Sequence, residues 1–174
     1  MLSEIAPGLK RAAIMFNPDT SPASLHMPSL ETAARSLKVV STVAPVHSSV
    51  EIETAIIALG REPGGGLVVM PDIFMAAHQA AIIISAAARN RIPAVYFQSE
   101  FARNGGLLSY GTDLVDTYRR AATYVDRILR GDNPSDLPVQ FPVKYEMVLN
   151  LKTAKALGIE VPPSLLARAD EVIE

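Results

Sequence analysis

Small polar residues, with an occasional aromatic one, follow three of the strands that this sequence predicts. They lie in the segments Asn17-Pro18-Asp19-Thr20-Ser21, Pro71-Asp72-Ile73-Phe74 and Phe97-Gln98-Ser99-Glu100. In an open parallel sheet, ligands bind beyond the carboxyl ends of the strands, where helix N-termini present free N–H groups and positive dipole ends. These segments are therefore candidates for gripping a small polar molecule. The alternative is that they serve only as helix caps and turns.

Asp72 also follows the third strand, the position at which a receiver domain carries its phosphorylated Asp. That chemistry needs a pair of acidic residues after the first strand to hold Mg²⁺, and a Lys after the last strand to neutralise the phosphoryl group. The first loop, at Asn17-Pro18-Asp19, offers one carboxylate, and no Lys stands directly after Phe97. The sequence therefore argues against phosphoryl transfer at Asp72.

Other common catalytic and metal-binding patterns are missing from the sequence. Gly64–Gly66 precedes a strand and lacks the Gly-Lys-Ser/Thr of a phosphate loop. The histidines His26, His47 and His78 lack zinc-site spacing, and no serine has the context of a nucleophile elbow. The absence of cysteine excludes thiol catalysis and thiolate metal ligands. We expect no metal, no cofactor and no enzymatic activity.

The hydrophobic pattern alternates strands with helices over residues 11–97. Four short apolar runs are typical of strands in a parallel sheet: Arg11–Asn17, Val39–Val46, Leu67–Met70 and Pro93–Phe97. The segments between them have apolar residues at helical spacing, as in Ile73–Asn90. Such alternation predicts an α/β domain with a doubly wound, mostly parallel sheet.

Local signals refine this pattern and extend it to the end of the chain. Ser48 and Glu51 have the spacing of a capping box at a helix start. Further along, the sequence predicts a fifth strand, an amphipathic helix, another strand, a short helix ending at Gly158 and a final helix. The longer of these are Gly105–Gly111, Asp116–Arg130, Tyr145–Leu151 and Pro163–Glu174.

Charge and hydropathy exclude several classes of partner. The 16 basic residues are scattered and the formal net charge is −2, so nothing provides the basic surface that a nucleic acid requires. The apolar stretch Ala80–Ala88 falls short of the roughly 20 residues of a membrane span. Met1–Lys10 is too polar for the apolar core of a signal peptide. As written, the chain is expected in the cytoplasm.

Several segments resemble a family of bacterial ABC-transporter substrate-binding proteins that includes tryptophan- and tyrosine-type members. The resemblance covers nearly the whole chain, and the tail carries its longest motif. The segments are IAPGLKRAAIMFNPDTS at residues 5–21, PAVY at 93–96 with Phe101-Ala102, GGLLSYG at 105–111, ILRGDNPSDLPVQFP at 128–142 and NLKTAKALGIEVPPSLLARADEVIE at 150–174.

The resemblance implies a Rossmann-like lobe of a type I periplasmic binding protein. Such proteins have two doubly wound lobes that close on a ligand in the cleft between them. The chain would be the C-terminal lobe, with the first lobe and an export signal preceding Met1. The implied function is that of a periplasmic solute-binding component of an ABC importer. It would bind a small amino acid-like or aromatic acid ligand without catalysis, and would dock to a permease.

The resemblance also implies that two parts of the chain have different roles. Residues 1–104 would form the ligand-binding lobe. Residues 105–174 would form a crossover strand, a helix and a tail that contact the first lobe. The implied ligand-binding set is Asn17, Asp19, Ser21, Asp72, Phe74, Phe97, Tyr110 and Gly111.

Within that set, Asp72 suits a ligand amino group, whereas Ser21 with nearby N–H groups suits a carboxylate. Without the first lobe, Leu107–Arg130 would lack its usual sheet partners and expose a hydrophobic stripe. We therefore expect a homodimer, with exchange of elements between copies as one form.

Two alternatives stay open at this point. One is a flavodoxin-like domain that binds a nucleotide or catalyses a reaction, although the phosphate loop, metal cluster and catalytic pair expected of it are missing. The other is a truncated remnant that folds but has no transport function.

Overall fold

The computed structural model describes residues 1–174 apart from the side chain of Ser24, and seven strands form one sheet. The strands are β1 (Arg11–Phe16), β2 (Val40–Pro45), β3 (Gly65–Val69), β4 (Ala94–Tyr96), β5 (Leu108–Thr112), β6 (Tyr145–Asn150) and β7 (Glu171–Ile173). Their order across the sheet is β2-β1-β3-β4-β5-β6-β7. Neighbouring strands are parallel except for β5 and β6, which are antiparallel.

Helices connect the strands. They are α1 (Leu2–Ile5), α2 (Ala23–Ser36), α3 (Ser49–Gly60), α4 (Ala80–Arg89), α5 (Ser99–Arg103), α6 (Leu114–Leu129), α7 (Leu151–Leu157) and α8 (Pro163–Leu166). A π-helical turn, Met75–Gln79, leads directly into α4, and a 3-10 turn, Pro134–Asp136, follows α6. The predicted α/β fold with a mostly parallel sheet is confirmed.

The sheet is buried on both faces at β1: four consecutive residues, 12–15, are buried, and successive side chains of a strand point to opposite faces. On one face, Ala13 and Met15 of β1 join a core cluster with Ile52 and Ile56 of α3. A second cluster surrounds β5 and β6. It contains Ile5, Leu107, Leu108, Met147, Leu149, Ala154 and Leu165.

Of the two hydrogen bonds in the predicted capping box, one forms at the start of α3. The Ser48 hydroxyl accepts a hydrogen bond from the Glu51 N–H at 3.3 Å. The Glu51 carboxylate accepts from the N–H of His47 at 2.8 Å, one residue earlier than the box predicts. This hydrogen bond is the largest cause that lowers the pKa of Glu51.

The prediction of a final helix over Pro163–Glu174 is wrong beyond its first turn. Helix α8 ends at Leu166, and residues 171–173 form β7 alongside β6. The cause is tertiary: the Asp170 carboxylate accepts the N–H of Met147 at 2.8 Å, and the Asp170 N–H donates to the Met147 carbonyl at 2.9 Å. These two bonds hold the end of the chain along β6, where it gains ladder hydrogen bonds.

The expected loss of sheet partners over Leu107–Arg130 does not apply to its strand. β5 pairs with β4 on one side and with β6 on the other, and Leu107 is buried. Helix α6 differs, because none of its residues is buried. Its exposed apolar residues are Leu114, Val115, Tyr118, Val125, Ile128 and Leu129.

The buried phenol of Tyr96 makes the fold sensitive to high pH. Tyr96 is 2% exposed and stacks on Phe101 with 4.9 Å between ring centroids. Burial raises the pKa of Tyr96 because the charged form is poorly solvated there. The unfolded chain releases this proton near pH 10. The stability that the neutral phenol contributes is therefore complete below about pH 10 and is lost as the pH rises toward the folded-state pKa.

We expect the free energy of unfolding to fall by about 1.4 kcal/mol per pH unit above about pH 10 because of this one group. The Tyr96→Phe variant should lack that part of the slope. Urea unfolding of both proteins between pH 9 and 11, by circular dichroism, measures it. Tyr118→Phe, at an exposed position on α6, is the control and should keep the wild-type slope. Equal slopes for wild type and Tyr96→Phe would contradict the expectation.

Candidate functional site

A cleft of about 430 Å³ opens at the carboxyl ends of β3, β4 and β5. Because β6 runs antiparallel to β5, its first residue, Tyr145, pairs with Thr112 and lies at the same edge. The cleft is lined by Pro71, Asp72, Ile73, Ala76, Phe97, Gln98, Tyr110, Gly111, Thr112 and Tyr145. This is the edge of a parallel sheet where ligands bind, and the volume is that of a small-molecule pocket.

Aromatic rings form much of the cleft wall. Tyr110 and Tyr145 stack with 5.8 Å between their centroids and 15° between their planes, and they are 44% and 48% exposed. Phe97 is held from behind, with its ring 5.4 Å from that of the buried Phe101. The wall therefore offers one anchored ring and two stacked rings that are each nearly half exposed.

The buried carboxylate of Asp72 links the loop after β1 to the loop after β3. Its Oδ2 accepts the N–H of Asn17 at 2.8 Å, and its Oδ1 accepts the hydroxyl of Thr20 at 2.7 Å and the N–H of Phe74 at 2.8 Å. A carboxylate has about four acceptor positions, so about one remains, on Oδ2. Asp72 is first of all a clamp between two loops.

The loop after β1 is fixed by its own polar groups. The Asn17 side-chain oxygen accepts the N–H of Asp19 at 2.8 Å, which is an Asx turn. The Ser21 hydroxyl donates to the carbonyl of Pro71 at 3.2 Å. The Asp19 carboxylate lies 3.7 Å from Nε2 of His47. These contacts occupy groups to which the sequence assigned a ligand-binding role.

The structure brings four members of the predicted set together in the cleft: Asp72, Phe97, Tyr110 and Gly111. The other four lie beside it. Asn17, Asp19 and Ser21 hold the neighbouring loop. Phe74 packs against the core and donates its N–H to Asp72.

Sequence reasoning missed Tyr145 and Thr112, which also line the cleft. Gln98, which belongs to the predicted polar segment after the fourth strand, lines the cleft as well. Tyr145 stands at the start of its predicted strand, and nothing in the sequence says that this strand runs antiparallel to its neighbour. Its place in the cleft depends on that direction.

The cleft carries little charge. Among its described lining residues, Asp72 is the one carboxylate and there is no Lys, Arg or His. At its rim, Lys144 Nζ lies 2.8 Å from Asp113 Oδ2. This contact lowers the pKa of Asp113 and raises the pKa of Lys144. The Asp113 N–H also donates to the Lys144 carbonyl at 3.1 Å, so the pair fixes the turn from β5 into α6.

Gly111 lets β5 approach the end of β4 closely. A Cβ atom added at Gly111 would lie 1.8 Å from the carbonyl oxygen of Phe97, far inside van der Waals contact. Any side chain there would push the two strand ends apart. Phe97 lies just after β4 and Tyr110 lies in β5. Both can line the cleft only because this glycine lets the two strands come close.

Two further features bear on what the site can do. Within the described residues, no His, Asp and Glu side chains gather into a group that could hold a metal ion. None of the helices over the described residues combines the length and the apolar character that crossing a membrane requires.

The sheet topology and the cleft at its carboxyl edge are those of an α/β binding lobe of the periplasmic-binding-protein type. The family described as ABC transporter substrate binding protein matches residues 1–173. The chain belongs to this family, and the resemblance seen in the sequence is confirmed. No curated protein matches the chain.

Solved structures agree on the fold. A conserved domain protein from Vibrio cholerae has 27% identity and a TM-score of 0.87, over 98% of this chain and 57% of its own. An ABC domain in complex with L-Trp from Streptococcus pneumoniae has 22% identity and a TM-score of 0.88, over 99% and 58%. The ligand-free, open structure of a substrate-binding protein with adhesive properties from Clostridium difficile has 23% identity and a TM-score of 0.70, over 99% and 57%.

These solved chains are longer than this chain. The matches cover nearly all of this chain but only somewhat more than half of each solved chain. The similarity is therefore to a part of larger proteins.

Replacing Asp72 should loosen both loops at once. In Asp72→Ala, the buried N–H of Asn17 and the N–H of Phe74 lose their acceptor, so we expect the free energy of unfolding to fall by about 3 kcal/mol. Asp72→Asn keeps an acceptor oxygen and should cost about 1–2 kcal/mol. Urea unfolding measures both. The exposed Asp19→Ala is the control, expected within about 0.5 kcal/mol of wild type. A similar loss for Asp19→Ala and Asp72→Ala would refute the clamp.

Gly111→Ala should destabilise the protein by about 2 kcal/mol or more, because its Cβ collides with the backbone at Phe97. Gly8→Ala is the matched control, since a Cβ at Gly8 meets no atom within 4 Å. Urea denaturation of the two variants makes the comparison. If both behave alike, the close approach of β5 to β4 is not a constraint on the fold.

Proposed function

We propose that this chain is the ligand-gripping lobe of the solute-binding component of an ABC import system. The observation that supports this most is the aromatic cleft at the carboxyl edge of the sheet, in a chain that belongs to the substrate-binding family. Recognition uses hydrogen bonds and ring contacts. The proposed role is binding and delivery of a solute, without covalent chemistry.

The proposed ligand is a small organic molecule, amino acid-like or an aromatic acid. The rings of Phe97, Tyr110 and Tyr145 suit a flat apolar body. The remaining acceptor position of Asp72, with Gln98 and Thr112 beside it, suits an amino group. No cationic side chain among the described lining residues is available to a carboxylate, so an acid group of the ligand depends on neutral hydrogen-bond donors.

The cleft is open on one side, since Tyr110 and Tyr145 keep nearly half of their surface exposed. We propose that a second lobe closes this side in the full-length protein. In this view residues 1–104 carry most of the ligand contacts. Residues 105–174 provide the connection between lobes, with the exposed apolar face of α6 as the surface that meets the second lobe.

Partners and location follow from the same proposal. Closure of the lobes on the ligand precedes docking to a membrane permease, outside the cytoplasm. The homodimer expected for a chain on its own, with exchanged elements as one form, belongs to the same proposal.

A thermal-shift screen with aromatic amino acids and aromatic acids tests the proposal. L-Trp is the first probe, because the similar Streptococcus pneumoniae domain is in complex with it. A half-open cleft binds weakly, so the probes are used at millimolar concentration. A ligand at ten times its Kd should stabilise the chain by about 1.4 kcal/mol, which raises the Tm by a few degrees.

The variant Tyr145→Ala removes one cleft ring and should abolish the shift. Tyr118→Ala removes an exposed ring on α6, outside the cleft, and should retain it. If no amino acid or aromatic acid raises the Tm, or if Tyr118→Ala and Tyr145→Ala lose the shift equally, the cleft is not the binding site that we propose.

A further inference from the structure

We propose that strand β2 is a self-association surface at which a second copy of this chain extends the sheet as an antiparallel strand. β2 lies at one end of the sheet and pairs with β1 alone. The proposal is independent of ligand binding, because β1 separates β2 from the strands that line the cleft.

The outward side of β2 carries backbone groups ready to pair. The N–H groups of Val40 and Val46 donate to β1 and its flanking residue, at 2.9 and 3.0 Å. Because backbone groups alternate in direction along a strand, those of Ser41 and Val43 point away from β1. Pro45 belongs to the same outward set, so its missing N–H breaks no bond to β1.

Natural edge strands are usually protected by charges, by Pro or by being very short. In β2, Pro45 is the one residue of such a type, and it stands at the last position of the strand. The segment VSTVAP at Val40–Pro45 has no charged residue, and Val40 and Val43 are 61% and 52% exposed. The opposite edge, β7, has three residues, and its Glu171 is held by Arg103 at 2.7 Å. The sheet is thus protected at one edge and open at the other.

The charges at the two ends of β2 favour a second copy of this chain that runs antiparallel to the first. Arg35 and Lys38 precede the strand. At its other end His47 lies between two carboxylates, 3.7 Å from Asp19 and 3.3 Å from Glu51. A parallel copy would place like ends together, whereas an antiparallel copy places the basic end of each chain beside the acidic end of the other.

One register satisfies both the backbone and the charges. If Thr42 of the two copies lies on the two-fold axis, Ser41 of each copy faces Val43 of the other, and both pairs exchange N–H···O bonds. Lys38, in the turn before β2, then lies near the end of the second copy's β2, where Asp19, His47 and Glu51 are grouped. A self-complementary, closed contact of this kind yields a dimer and no larger assembly.

Sedimentation velocity of the whole chain over a concentration series tests the proposal. The wild type should show a concentration-dependent dimer. Thr42→Lys sets two like charges opposite each other on the axis and should raise the dissociation constant at least about tenfold. Val43→Lys, on the face of the strand opposite to Thr42, is a second variant that should weaken the dimer. Circular dichroism checks that each variant is folded.

Two control variants separate β2 from other surfaces. Val172→Lys adds the same charge to the opposite edge, and Leu129→Glu adds a charge to the exposed face of α6. Both should leave the dimer unchanged. A wild type that stays monomeric, a dimer that survives Thr42→Lys, or a dimer that Leu129→Glu abolishes overturns the assignment to β2.

Charge reversal tests the antiparallel direction. Lys38→Glu alone and Asp19→Lys alone should each weaken the dimer several-fold at low salt, since exposed ion pairs are strongly screened. The double variant restores complementarity across the axis and should recover the wild-type dissociation constant. A double variant weaker than either single variant would refute the antiparallel register.

Discussion

The buried carboxylate of Asp72 is the interaction on which the candidate site depends. A charged group out of water is costly unless donors surround it, and here three donors do so: the N–H of Asn17, the hydroxyl of Thr20 and the N–H of Phe74. The first two come from the loop after β1, and the third from the turn after β3. The need to satisfy one carboxylate therefore fixes the conformation of both loops, and with them one wall of the cleft.

The opposite wall depends on close backbone approach and strand direction. Gly111 allows β5 to come against the carbonyl of Phe97, and the antiparallel course of β6 returns Tyr145 to the same edge. The rings of Tyr110 and Tyr145 can then stack across neighbouring strands. The aromatic surface of this otherwise parallel sheet thus depends on one antiparallel strand.

The apolar surface that remains outside the core lies in two places with different character. The face of α6 is amphipathic and unburied, next to the open side of the cleft, as suits a helix that meets another lobe. The edge at β2 is uncharged along its length, with opposite charges at its ends. These are the two surfaces to which we assign the proposed second lobe and the proposed second copy.

The sequence by itself determined the α/β class and the order of the strands up to β6, and it named four of the ten residues that line the cleft. Periodicity and turn residues are local, and Asp72, Phe97, Tyr110 and Gly111 stand where strands end or cross. The tertiary structure decided the rest. The tail formed β7 instead of a helix because Asp170 bonds to Met147, a residue distant in sequence. Tyr145 entered the cleft because β6 is antiparallel to β5, and Asn17 and Ser21 became loop contacts because Asp72 and Pro71 took their hydrogen bonds. Such pairings join residues far apart along the chain, and no local pattern encodes them.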